Sequence, residues 1–268
     1  VQAFSMEPLY FANYLLIPLS VGLALFVNRE EPVKRWQMAI LIGLLLLNFI
    51  LTVSRGGYLG LVGSLLVLGI LLFRKLFNWK TVLIGMVTII VVVYSVAFAI
   101  SKGETRATIE FLSHIQLQDM KRGESIEGRL MSYKRGLVVY RQSPIFGIGL
   151  GNYGPWATDF PDATPKTGWP IVNNQYIELL AETGIVGVAA FALIILFLIF
   201  RTFIALKYAQ DLFLKSVLIG LLAAFCGILI QYNFMSTLYI IHIWILIGLI
   251  VGVQNIILKS KAQSSNDK

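Results

Sequence analysis

The chain has 268 residues, of which 57% are hydrophobic and only 13% charged. Soluble domains run at roughly 45–50% apolar and about 25% charged, so a water-soluble globule is excluded, and so much apolar content equally excludes a disordered chain. The net charge of +8 comes from Lys and Arg gathered on short loops, a habit of membrane proteins, so no nucleic-acid partner is expected. One cysteine, Cys226, and two histidines, His114 and His242, rule out a disulfide framework and a Cys- or His-rich metal site. No metal or cofactor is expected. The class is an all-α polytopic transmembrane bundle of about seven spans, carrying one long external loop with short helices. Val1 is not an initiator Met, and no signal-peptide pattern precedes the first apolar run. The chain therefore reads as part of something longer.

A spanning helix needs about 20 mostly apolar residues, within a range of roughly 17–25. Leu9–Val27, Trp36–Val53, Tyr58–Phe73 and Thr81–Ile100 come first, making residues 1–100 a unit of four spans. Ser54-Arg55-Gly56-Gly57 joins the second and third of these as a tight hairpin. After a loop over 101–172 come Gly184–Phe200, Ser216–Phe234 and Leu238–Leu258, within a unit over 173–258. Residues 259–268, rich in Ser, Lys and Asn, read as a disordered tail. None of the apolar runs alternates strictly, which argues against a β-barrel.

Orientation follows from the short loops. One side carries Arg29, Lys34 and Arg35, then Arg74, Lys75 and Lys80, then Arg201, Lys207 and Lys215, and finally the basic tail. The other side has Arg55 in one turn, no cation in Met235-Ser236-Thr237, and the long loop, which crosses largely regardless of charge. The expectation is a multi-pass plasma-membrane protein with a cytoplasmic C-terminus and an external long loop.

Within that loop Ser125 is a candidate cap for a helix running to about Ser143, where Pro144 stops it. Ile126, Leu130, Tyr133, Leu137 and Tyr140 repeat at helical spacing and predict one buried stripe. Arg129 lies roughly 60° from the centre of that stripe, at the seam with the membrane domain, and Arg135 is expected to face water. The alternative is an interfacial amphipathic helix whose cations meet lipid phosphates. The glycine run Gly147-Ile148-Gly149-Leu150-Gly151-Asn152-Tyr153 follows no strand and opens no βαβ unit. It reads as a close-packed loop, not a nucleotide site.

Asn173 is the candidate cap of a helix that runs into the fifth span. Asn174, Glu178 and Glu182 share one face at i, i+4 and i+8. Carboxylates at a membrane entry are costly unless they line water or meet cations, so this stripe is either a site or a solvated interface. Arg55 likewise either snorkels to headgroups or offers a guanidinium beside flexible backbone amides, a setting that suits phosphate oxygens.

Four pieces stand in order: Ser54-Arg55-Gly56-Gly57 after a span, Gly128-Arg129 opening an external helix, Pro144-Ile145-Phe146-Gly147-Ile148-Gly149-Leu150-Gly151-Asn152, and Asn174-Gln175-Tyr176-Ile177-Glu178 through Gly184-Ile185-Val186-Gly187. In that order and topology the chain resembles the O-antigen ligase and polysaccharide polymerase superfamily, over about residues 7–255. Members are usually longer, with more spans upstream. The resemblance implies an inverting, metal-independent transfer of glycan from an undecaprenyl diphosphate carrier to a glycan or lipid acceptor, on the outer face of the inner membrane. It implies functional roles for Arg55 and Arg129, which match family arginines, and for a histidine just before the Asn-x-Tyr stretch. Here that position is Asn173, so the family's His-Asn pair reads Asn173-Asn174. Asparagine is no base near neutral pH, although it can hold a hydroxyl or a phosphate oxygen.

Displacing a diphosphate builds negative charge on the leaving group, which without a divalent ion must meet preorganised donors. Arg55 and Arg129 are therefore expected to hold the diphosphate, with Glu178 as base or acceptor anchor. Asn173 and Asn174 position the sugar hydroxyl, and Ser54, Asn152 and Tyr153 are further substrate-binding candidates. Two rival readings stand beside this one. A bicarbonate-like anion transporter needs a polar path, but the spans offer little beyond Asn48, Gln231 and His242, of which the last two suit helix–helix hydrogen bonds. A non-catalytic scaffold of cell-envelope assembly is favoured if Asn173 marks lost activity.

Overall fold

In lipid every backbone polar group must find a partner within its own segment, so apolar runs of this length fold as helices. The computed structural model describes residues 8–72, 124–160 and 170–266, and among them every regular element is a helix. These are α1 (Pro8–Asn28), α2 (Arg35–Leu51), α3 (Arg55–Leu71), α4 (Glu124–Gln142), α5 (Tyr153–Ala157), α6 (Gln175–Tyr208), α7 (Leu212–Gln231) and α8 (Ile241–Asn266). Four of them, α1, α6, α7 and α8, are long and apolar enough to cross a membrane. With 17 residues each, α2 and α3 rise about 25 Å, slightly less than the roughly 30 Å of a hydrocarbon core. The expected span Thr81–Ile100 lies outside the described residues, as do residues 101–123 and 161–169 of the long loop.

Several boundaries differ from the sequence reading. Helix α6 runs beyond Phe200 to Tyr208, and α7 starts at Leu212, where the Asp211 carboxylate accepts the N–H groups of Phe213 and Leu214 at 2.7 and 3.2 Å. The tail read as disordered is helical to Asn266, because α8 continues along α6 and sets the Lys261 ammonium 3.2 Å above the Tyr208 ring. A cation over an aromatic face holds that last stretch in register.

Helices α1 and α7 form the centre. Both pack against α3, α2 lies on α1, and α8 lies on α7 and α6. Lipid tails are as apolar as leucine, so tight helix contacts come from small residues and polar pairs. At the α3–α7 crossing a Cβ on Gly60 would fall 2.5 Å from the Gln231 side chain, and one on Gly227 would fall 2.5 Å from the Gly60 carbonyl. The Asn13 amide donates to Gln231 Oε1 at 2.7 Å, and His242 Nε2 meets Asn13 Oδ1 at 2.8 Å. Gln231 and His242 thus serve helix–helix hydrogen bonds, as their positions predicted.

Asn13→Leu removes the partner of both Gln231 and His242. It is expected to lower stability by about 1–3 kcal/mol, read by sodium dodecyl sulfate titration in mixed micelles. Asn48→Leu, which among the described residues loses one amide bond to the Leu44 carbonyl of its own helix, is expected to shift stability by less than about 0.5 kcal/mol.

Candidate functional site

The first three turns of α6 organise this end of the bundle. Asn173 holds φ at 59°, a left-handed conformation in which Asn and His are both enriched among non-glycine residues. The helix is capped one residue later than expected. Asn174, with extended backbone, accepts the N–H groups of Tyr176 and Ile177 on its Oδ1 at 3.0 and 3.1 Å. The left-handed turn at Asn173 lies outside the extended geometry that an N-cap uses.

The same turns clamp the connector between α7 and α8. Asn174 Nδ2 donates to the Asn233 carbonyl at 3.3 Å, and the Gln175 N–H donates to the Tyr232 carbonyl at 2.8 Å. Gln175 Oε1 accepts the N–H groups of Thr237 and Leu238 at 2.8 and 2.7 Å. Glu178 Oε2 accepts the Ser236 hydroxyl at 2.6 Å and the Val172 N–H at 3.0 Å. Glu182, buried, accepts the Tyr153 N–H at 3.2 Å. The polar stripe of Asn174, Glu178 and Glu182 therefore exists as one face, and among the described residues it meets loop donors in place of cations.

Two residues past Glu182, α6 breaks. Gly184 has φ 63° and ψ −166°, a conformation essentially confined to glycine. The break frees carbonyls and N–H groups that the glycine run satisfies. Ile148 and Gly149 donate to the carbonyls of Ala181 and Glu182 at 3.1 and 2.8 Å, while Ile185 and Val186 donate to those of Pro144 and Ile145 at 2.9 and 3.3 Å. A Cβ on Gly147 would lie 2.2 Å from the Glu182 carbonyl carbon, and one on Gly184 would lie 2.3 Å from the Ile145 oxygen. The glycine run is a backbone seam against a helix break, which agrees with its reading as a close-packed loop.

Helix α4 packs on α6 with a different face from the one expected. Ser132 and Val139 are buried and Leu130 and Leu137 exposed. Of the predicted stripe, Tyr133 and Tyr140 are half-buried, and the Ile126 side chain lies outside the described residues. Small residues win because contact is close: a Cβ on Gly136 would fall 2.8 Å from Ile177. Arg135, expected in water, is half-buried and bonds the Tyr153 hydroxyl. Burial pushes the Tyr153 phenol above its ordinary range against the opposing pull of that guanidinium. Tyr153 is 1% exposed, so it supports the loop and presents no surface to a substrate. The Tyr133 hydroxyl donates to the carbonyls of Asn173 and Asn233 at 3.3 and 2.9 Å.

The Asn233–Phe234 turn is touched both by the start of α3 and by α4, through Gly56 and Tyr133. Arg55 is exposed at the first position of α3, and a Cβ on its neighbour Gly56 would meet Phe234 at 3.1 Å. Arg129 is half-buried, one helical turn before the tyrosine that reaches Asn233. Among the described residues the salt bridge is Arg35–Glu31, and neither Arg55 nor Arg129 joins one. Ser54 is occupied as the cap of α3, its hydroxyl accepting the Gly57 N–H at 3.2 Å. Asn152 is exposed, with its amide on the Ile148 carbonyl at 2.8 Å. Ser54 and Asn152 thus make local structure.

Comparison with known proteins fits this arrangement. The family model described as O-antigen ligase matches residues 40–192, which include both arginines, the glycine run and the polar stripe. The chain belongs to the O-antigen ligase family. An uncharacterized protein of Haemophilus influenzae is 29% identical over 190 residues, covering 67% of this chain and 46% of that relative. The chain thus spans about half the length of the curated relative it matches.

Sequence reasoning missed Tyr133, Gln175, Asn233 and Ser236 as organisers. Their signal was faint: Ser236 and Thr237 are hydroxyl residues in a turn noted only for lacking charge, and Tyr133 sits in an apolar repeat. Gly184→Ala, which forces a Cβ into the Ile145 carbonyl, is expected to destabilise by more than about 1 kcal/mol and to speed proteolysis within 144–152. Thermal unfolding and limited proteolysis of the purified protein check both effects.

Proposed function

We propose that the protein is a membrane glycan ligase or polymerase that takes its glycan from an undecaprenyl diphosphate carrier on the outer side of the plasma membrane. The observation that carries this is that Gly56, next to Arg55, and Tyr133, one turn from Arg129, both border the Asn233–Phe234 turn, with no carboxylate paired to either arginine among the described residues. A guanidinium offers planar, bidentate donors to phosphate oxygens. Membership of the family supports the lipid-linked donor. Arg29, Arg201 and Lys215, together with the basic stretch of α8, support the orientation through the positive-inside rule.

In the proposed reaction an acceptor hydroxyl attacks the anomeric carbon from the face opposite the diphosphate, the carbon–oxygen bond to the carrier breaks, and the hydroxyl proton passes to solvent water. The departing diphosphate takes the electron pair, and the two arginines meet that charge as it grows. Donors aimed at developing charge act mainly in the transition state. Asn173, at its left-handed apex, holds the acceptor, since the Asn174 side chain is spent on the cap and on Asn233. Glu178 is assigned to the clamp and not to the base, because its Oε2 already takes Ser236 and Val172.

The test uses the intact purified protein with an undecaprenyl diphosphate oligosaccharide in EDTA, with products resolved on a gel. Arg55→Ala and Arg129→Ala are each expected to slow transfer by roughly 10²–10³-fold, and Arg129→Lys to recover only part of it, since charge returns without the fork. A product ladder identifies a polymerase and a single shifted band a ligase. Untouched donor, or alanine variants at the wild-type rate, overturns the proposal. Glu178→Gln keeps an acceptor for both clamp bonds and is expected to stay within about tenfold of wild type, a change of roughly 1.4 kcal/mol in barrier. A larger loss returns the base role to Glu178.

A further inference from the structure

Phe146 is 72% exposed and Ile145 56% exposed, on a short loop. The seam prevents this loop from turning away, because the carbonyls of Pro144 and Ile145 hold the N–H groups of Ile185 and Val186. Its tip therefore sits at the depth of Ile185 and Val186, which are themselves 51% and 49% exposed.

Helix α6 supplies a ruler for that depth. From Ile185 to Lys207 it rises about 33 Å at 1.5 Å per residue, close to the roughly 30 Å of hydrocarbon in a bilayer. Leu193, Ile194, Leu196, Phe197 and Phe200 are exposed along the way, as a lipid-facing surface requires. Lys207 and Lys261, gathered at Tyr208, mark the polar end, and Arg201, about 9 Å inside it, is paired with Gln254 and Asn255. With Lys207 at one headgroup boundary, Ile185 falls at the other, and Phe146 falls beside it. The lipid-facing surface of α6 continues onto the loop without a polar break.

We propose that the glycine loop is seated in the bilayer, with Ile145 and Phe146 against phospholipid acyl chains at the outer edge of the hydrocarbon core. Leu150, 73% exposed on the same loop, belongs to this contact. The loop then fixes how deep the start of α6 sits. Exposed apolar clusters on one segment mark an interaction surface, and the partner here is lipid.

The experiment places a nitroxide on Phe146→Cys in a Cys226→Ala background, with the intact protein reconstituted in phosphatidylcholine vesicles. Collision with oxygen is compared with collision with a water-soluble nickel chelate. Leu193→Cys serves as the lipid reference and Asp159→Cys as the water reference. The expected oxygen-to-nickel ratio at 146 is several-fold above that at 159 and equal to that at 193. Nickel access matching 159 puts the loop in water, and low access to both reagents means that protein covers it. Either result overturns the proposal. Leu150→Cys carries the same test if the first variant fails to fold.

Discussion

The reciprocal hydrogen bonds at the Gly184 break hold the remainder of the site in place. A helix that breaks inside or near a membrane exposes carbonyls and N–H groups that cost several kcal/mol each if left unpaired in hydrocarbon. The break is tolerated because a second backbone edge, residues 144–149, supplies both kinds of partner in the right order. Neither half is stable in this conformation alone. Glycine at 147 and at 184 lets the two backbones approach within reach, since a Cβ at either position would enter the other strand of the seam. Once the seam closes, the turns of α6 before the break lie where Asn174, Gln175 and Glu178 hold the α7–α8 connector.

This arrangement separates positioning from recognition. The acidic and amide side chains of the polar stripe are spent on backbone N–H groups and on a serine hydroxyl, and so they shape the site without facing its ligand. Tyr133 ties α4 to Asn173 and to Asn233 together, which places Arg129 with respect to the connector that also touches the start of α3. In the proposed function the two arginines are the groups that meet the anion. A leaving diphosphate needs charge held ready in a preorganised place, and rigid helix ends are better mounts for it than loops.

The sequence showed the helices clearly, because a lipid solvent demands long uninterrupted apolar runs, and α1, α6, α7 and α8 stand where such runs were read. It showed less of the packing. In a soluble protein apolar side chains mark the inside. Helix α4 departs from that rule, because it approaches α6 closely: Leu130 and Leu137 are left exposed while Ser132, Gly136 and Val139 make the contact. That inversion explains why the face of α4 was misjudged and why Arg135 was sent to water. Arg55, Arg129 and the glycine run were legible as an ordered set of motifs. The partners of Glu178 were not, because a backbone N–H at Val172 and a lone serine at 236 leave no charge or spacing signature.

A structure of the intact protein in a lipid nanodisc, solved by electron cryo-microscopy with undecaprenyl diphosphate bound, tests the central claim most directly. The account predicts phosphate oxygens within about 3 Å of both the Arg55 and the Arg129 guanidinium groups, beside the Asn233–Phe234 turn. A diphosphate seated elsewhere, or held by only one of these arginines while the other points away, contradicts it.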